Sequence, residues 1–222
     1  MKNQKLLIIS ILAAAVLISG SIFYYTINLK KINNPNNQNQ TASVLDARNV
    51  DVTGENFLGS KDAPVTIVEY SSYFCSHCIS FYETTFPQLK KDYIDTGKVK
   101  FILRSLPAEL AQATFCAGEQ NKYWEFSDYL FEHTQELTDN VKTVDDVLPS
   151  TKKIAKELGL DENKFSDCYT AGKYLDKVQQ WSDDAQIAKV EGTPTFFINT
   201  ETIVGEQPYD AFKTSIDKFL NN

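Results

Sequence analysis

The sequence predicts an α/β fold in which a small sheet is interrupted by a mainly helical insertion. Three observations carry this reading. An apolar, β-rich run, Val65-Thr66-Ile67-Val68-Glu69-Tyr70, leads into Cys75-Ser76-His77-Cys78 and an amphipathic stretch of helical period. Strand character returns at Thr195-Phe196-Phe197-Ile198-Asn199. Between them, from about residue 107 to 190, the chain reads as helix.

The 222 residues carry 22 Lys and Arg against 29 Asp and Glu, and 42% are hydrophobic, enough for one compact domain plus a tail. The net charge of -7 repels phosphate backbones and argues against nucleic-acid binding. Residues 1–5 form a short basic segment with Lys2 and Lys5. The 22 uncharged residues from Leu6 to Ile27 follow, and as a helix they span roughly 33 Å, enough for a bilayer core. Residues 6–28 are therefore a transmembrane signal anchor or a signal peptide. The length favours the anchor, because cleaved leaders carry apolar regions of only about 7–15 residues. Ser19-Gly20-Ser21 supplies a late cleavage site for the alternative.

Residues 29–49 turn to Asn and Gln and read as a polar linker, which leaves 50–222 as the folded domain. The strand at Val65–Tyr70 feeds a helix expected to continue through Phe81, Phe86 and Leu89 to about Tyr93, with a kink at Pro87. Asp95-Thr96-Gly97 makes a turn before a second strand, Val99–Leu103, reached by a parallel crossover. In the insertion, Gly159 is placed to end a helix over Lys153–Leu158, and Asp161 to cap the next. One more helix is expected over Lys173–Lys189. A turn at Thr200-Glu201, a strand over Thr202–Val204 and a helix from Pro208 to Leu220 complete the chain.

A strand that delivers Cys75 to a helix N-terminus puts its sulfur near unpaired N–H groups and the positive end of the helix dipole. An ordinary thiol is only about 3% thiolate at pH 7, and a pKa three units lower needs roughly 4 kcal/mol of selective stabilisation. The helix terminus supplies at most about 2 kcal/mol. The remainder falls to further N–H donors and the His77 imidazole. The competing readings are an inert disulfide, half of a zinc site, or a metal-delivery module using Cys75, His77 and Cys78. Zinc needs a second clustered pair, whereas Cys116 and Cys168 are far apart and His133 is the only other histidine. Cys116 and Cys168 are either buried thiols or a structural disulfide. An even cysteine count outside the cytoplasm favours the bridge. Glu69 is either a buried functional acid or a surface-facing strand residue.

Val68–Cys78 and Gly192-Thr193-Pro194-Thr195-Phe196-Phe197-Ile198 resemble the two signature segments of DsbA-type thiol:disulfide oxidoreductases. Phe115-Cys116-Ala117, Tyr123-Trp124-Glu125-Phe126 and Gly205-Glu206-Gln207-Pro208-Tyr209 extend the likeness. The resemblance implies a thioredoxin-like fold with the insertion at about 107–190, and an enzyme that introduces disulfides into exported proteins. It makes Cys75 and Cys78 the redox-active disulfide. It also implies a cis bond at Thr193-Pro194 that faces them and presents an edge to substrate, with Glu69 positioned to accept a proton from Cys78. It implies no cofactor, unfolded exported proteins as substrates, and a membrane DsbB-like quinone reductase as electron acceptor. The domain is accordingly expected in the periplasm or on the cell-envelope face. Ser76, where many relatives have proline, and Thr193, where some oxidases have valine, leave isomerase or reductase activity open.

Overall fold

The computed structural model describes residues 52–221. The expected basic segment, anchor and linker lie outside these residues. Among the described residues no helix is long and apolar enough to cross a membrane.

The run of β-branched residues after Pro64 forms β2 (Val65–Ser72), which pairs in parallel with β3 (Val99–Leu106). Side chains alternate across this central pair. Val65 and Ile67 face one core with Phe101 and Leu103, whereas Val68 and Tyr70 face the other with Ile102 and Phe197. β4 (Thr195–Ile198) runs antiparallel to β2, and β5 (Glu201–Val204) antiparallel to β4. A short strand that the sequence did not announce, β1 (Phe57–Gly59), covers the far edge of β3, giving the order β1-β3-β2-β4-β5. Both central strands run longer than expected, and the turn before β5 falls at Asn199. Its backbone takes a positive φ of 47°, while its side-chain carbonyl accepts from the Thr66 N–H at 2.9 Å.

The expected long helix after the cysteines is divided. α1 (Ser76–Thr84) stops before Thr85, α2 (Phe86–Leu89) restarts there, and Lys90–Ile94 widens into a π-turn. Pro87 causes the division: it has no N–H to give to the carbonyl four residues back, and its ring pushes that carbonyl aside. The break therefore precedes the proline. Phe81 of α1 packs on Phe196 of β4 (4.5 Å between ring centres) and on Phe212 of the C-terminal helix α9 (Tyr209–Leu220; 5.2 Å). These rings clamp the helix that carries the cysteines to the strand behind it.

The insertion forms six helices: α3 (Ala108–Gly118), α4 (Tyr123–Glu132), α5 (Thr134–Asn140), α6 (Val147–Glu157), α7 (Glu162–Thr170) and α8 (Leu175–Ile187). Gly159 ends α6 with φ +74°, and the Asp161 carboxylate caps α7 by accepting from the N–H groups of Asn163 and Lys164. Cys116 of α3 is bonded to Cys168 of α7. Closing that loop restricts the unfolded chain by an amount worth about 4 kcal/mol on a chain-entropy account.

A buried charge ties the insertion to the sheet. Arg104 on β3 is 1% exposed and meets Glu55 and Asp184 of α8, each at 2.7 Å, and the Tyr70 hydroxyl at 2.8 Å. Trp181 of α8 donates to the same Glu55 carboxylate at 3.1 Å. Removing the cation strands two carboxylates, one of them fully enclosed. Arg104→Leu should therefore cost about 3–5 kcal/mol, read as a lower urea midpoint with an unchanged slope. An unchanged midpoint would show that the cluster is not a structural tie.

Candidate active site

The end of β2 places Cys75 at the N-cap of α1, with extended backbone (φ -89°, ψ 118°). Cys78 follows one turn into the helix and is completely buried, whereas Cys75 is partly open to solvent. Both are free thiols in this structure. The Cys75 thiol donates to the Thr193 carbonyl oxygen at 3.2 Å, and the Thr193-Pro194 bond is cis. A second cis bond, Leu106-Pro107, lies at the start of the insertion, where the sequence had suggested nothing unusual.

The two sulfurs occupy opposite electrostatic surroundings. Burial disfavours ionisation of Cys75, but hydrogen bonds from the Thr193 side chain, the Cys78 backbone and thiol, and the His77 backbone outweigh it and hold its pKa below the usual thiol value. Burial dominates at Cys78 and pushes its pKa to about 12 despite hydrogen bonds from Ser71 and Thr193, with the nearby Glu69 charge adding to the rise. Cys75 is the sulfur that can be attacked or leave as thiolate, and Cys78 is the one that needs a proton.

His77 takes a different place from the one expected. Its imidazole is 72% exposed and lies 3.1 Å from Glu206 Oε2. Residue 77 reaches the Cys75 sulfur through its backbone instead. A carboxylate already held by the Ser80 hydroxyl offers the ring a charged partner away from the sulfur.

Glu69 is 3% exposed and lies on the face of β2 that carries Val65 and Ile67, paired in register with Leu103 and Phe196. Burial raises its pKa to about 8; the Ser71 hydroxyl opposes this rise, and the neighbouring Cys75 adds to it. Ser71 sits two residues along the same strand face and influences both Glu69 and Cys78. One Glu69 oxygen and the Ser71 hydroxyl nevertheless make no hydrogen bond of ordinary geometry. Ser71 has no sequence signal of its own beyond the two-residue period of the strand, which places it beside Glu69. Glu206 lies in a segment that extends the family likeness, but nothing local marked its side chain as a partner of His77, since it comes from a distant loop.

His133, to which the sequence assigned no role, stacks on Tyr129 at 3.9 Å and lines a separate cleft of about 280 Å³ between α4, α5 and α6. Among the described residues no three His, Cys, Asp or Glu side chains are grouped as a metal ion would require.

Comparison with known proteins agrees with this arrangement. A family model described as thioredoxin matches residues 51–218. Disulfide bond formation protein D of Bacillus subtilis (strain 168) is 32% identical over 180 residues, covering 76% of this chain and 78% of that protein. A probable disulfide bond formation protein D of Bacillus cereus is 30% identical over 99% of each chain. The crystal structure of oxidised BdbD from Bacillus subtilis matches with a TM-score of 0.67 at 27% identity, over 77% of this chain and 95% of that one. Wolbachia pipientis alpha-DsbA1 also gives 0.67 at 27% identity, over 76% and 92%. A partly open, acidified thiol beside a buried one, held on a sheet with a helical insertion, thus places the chain in the thioredoxin family, among the DsbA-type thiol:disulfide oxidoreductases.

Proposed function

We propose that the chain introduces disulfide bonds into exported proteins, using the oxidised Cys75–Cys78 pair on the outer side of the membrane to which residues 6–28 tether it. The observation that carries this reading is the geometry of the pair: Cys75, partly open to solvent at a helix N-cap, lies against the cis Thr193-Pro194 step while Cys78 beside it is fully buried. A substrate thiolate attacks the Cys75 sulfur and breaks the Cys75–Cys78 bond. Cys78 leaves and takes a proton from Glu69, which is largely protonated at neutral pH. A second substrate thiolate then attacks the substrate sulfur of the mixed disulfide. Cys75 leaves as the stabilised thiolate, the substrate is oxidised by two electrons and the enzyme is reduced by two.

The Thr193 backbone lies against the Cys75 sulfur and is the edge along which an extended substrate segment would pair. Turnover requires an acceptor for the two electrons, and a membrane quinone reductase of the DsbB kind fits the chemistry. Reoxidation runs the proton transfer backwards: Glu69 takes the proton of Cys78 as that sulfur closes on Cys75.

Cys78→Ser should accumulate a stable mixed disulfide with a reduced, unfolded substrate, and Cys75→Ser should form none, as seen by non-reducing electrophoresis. Equal trapping by both variants would remove the assigned division of labour. In a refolding assay the oxidised enzyme should oxidise a reduced substrate without repairing a scrambled one. The opposite pattern would make it an isomerase.

Glu69 supplies a pH signature. Closure of the Cys75–Cys78 bond by oxidised glutathione should accelerate as pH rises through about 8, where the carboxyl ionises and accepts the Cys78 proton. Glu69→Gln should lose this limb and run about 100-fold slower at pH 8 and above; a rapid-quench alkylation series across pH 6–9 reads both effects. The same carboxyl carries a stability cost. The folded protein keeps its proton up to about pH 8 while an unfolded chain releases it near 4.5, so stability falls as pH rises across that window. Glu69→Gln should be more stable than the parent at pH 8, by about 4 kcal/mol, and nearly equal at pH 4. Urea titrations of the reduced proteins at the two pH values test this.

A further inference from the structure

The loop from Gly205 to Pro208 touches both halves of the redox site. The Gly205 N–H donates to the Pro194 carbonyl oxygen at 2.8 Å, and the Gln207 carbonyl accepts from the Thr85 hydroxyl at 3.2 Å, at the break between α1 and α2. Glu206, between these two anchors, points its carboxylate at the first turns of α1. Its Oε1 accepts from the Ser80 hydroxyl and its Oε2 lies 3.1 Å from His77 Nδ1. His77 and Ser80 are three residues apart and so share one face of the helix. The carboxylate bridges them and holds the imidazole on the outside of the site.

We propose that Glu206 is a positioning residue of the redox pair: its carboxylate holds the His77 imidazole outward, away from the Cys75 sulfur, and so limits how far the thiolate of Cys75 is favoured. This rests on the reading of Cys75 as the attacked sulfur. The His77 ring follows Cys75 by two residues, and it is held by a carboxylate supplied from the other end of the chain. The oxidising strength of the protein is then set by Glu206 together with the two residues between the cysteines. Freed of that partner, the ring is no longer held outward, and an imidazole N–H turned toward the sulfur stabilises the reduced, thiolate form and makes the disulfide more oxidising. Ser80 belongs to the same device, because its hydroxyl keeps the carboxylate in place and its negative charge fully developed.

The test uses the full chain in four forms: unsubstituted, Glu206→Gln, His77→Ala and the double variant. Each is equilibrated at pH 7 with graded mixtures of reduced and oxidised glutathione, and the reduced fraction is counted by thiol alkylation. Thiolate absorbance is followed in parallel as a function of pH. Glu206→Gln should move the equilibrium about threefold toward reduced enzyme, the scale of an exposed charge pair, and should lower the Cys75 titration midpoint by about half a unit. In the His77→Ala background the same substitution should move neither, because the ring through which Glu206 acts is gone. Glu206→Asp should restore the parent behaviour in part. If Glu206→Gln does not fold, Ser80→Ala carries the test, with a smaller shift in the same direction and the same dependence on His77.

A shift of equal size in both backgrounds would make Glu206 a direct electrostatic neighbour of the sulfur and overturn the proposal. No shift in either background would overturn it as well. If the unsubstituted protein shows no redox equilibrium with glutathione, the reading of the cysteine pair falls, and this proposal falls with it.

Discussion

The contact between the Cys75 sulfur and residue 193 joins two segments 118 positions apart and brings the chemistry together. On one side, β2 ends and α1 begins, so the sulfur sits where helix N–H groups have no intrahelical partner. On the other, the Thr193-Pro194 step that leads into β4 supplies both a carbonyl acceptor for the thiol and a side-chain donor for the thiolate. The sheet order makes this meeting possible, because β2 and β4 are direct neighbours although the whole helical insertion lies between them in sequence. The ring cluster of Phe81, Phe196 and Phe212 then fixes the distance between the redox helix and that strand.

Helix-terminal donors alone are too weak to produce a strongly acidic thiol. Here they are joined by hydrogen bonds from the neighbouring strand and from the second cysteine, while the imidazole is turned outward. The second sulfur obeys the reverse logic. It lies in the core beside a buried carboxyl, so both groups favour their neutral forms. The pair therefore combines a good leaving group with a poor one, and in the proposed mechanism the buried acid carries the proton that the poor one requires. Burial of Glu69 costs stability, as is common where a charged group is retained for chemistry.

The insertion is held by two unlike devices. A covalent bridge joins α3 to α7, and the Arg104 ion cluster joins β3 to α8 and to the segment before β1. The first acts on the unfolded chain by shortening its free loops. The second acts on the folded state by demanding that each buried charge keep its partner. The bridge fixes the helical block internally, and the ion cluster ties that block to the sheet and thereby holds the segment leading from α8 into Thr193.

Local pattern sufficed for much of this molecule. The apolar, β-rich run Val65–Tyr70 marked the central strand, Gly159 and Asp161 marked helix ends, and Cys75-Ser76-His77-Cys78 after a strand marked the redox helix, because each signal lies within a few residues of the structure it specifies. The division of the helix at Thr85 was half visible: Pro87 announced a disturbance but not where the hydrogen bonds would part. Strand β1 was hidden, being three residues long and dependent on β3 for every partner. Which way Glu69 faced could not be read from its own segment, since both faces of β2 are covered and only the packing of α1 and α9 distinguishes them. Nor could the pairing of His77 with Glu206, 129 positions away, or of Arg104 with Glu55 and Asp184. Sequence alone determined most of the elements and the place of the Cys75–Cys78 pair among them; tertiary structure decided which charges those sulfurs meet, because electrostatic partners are chosen by distance in space and leave no periodic trace along the chain.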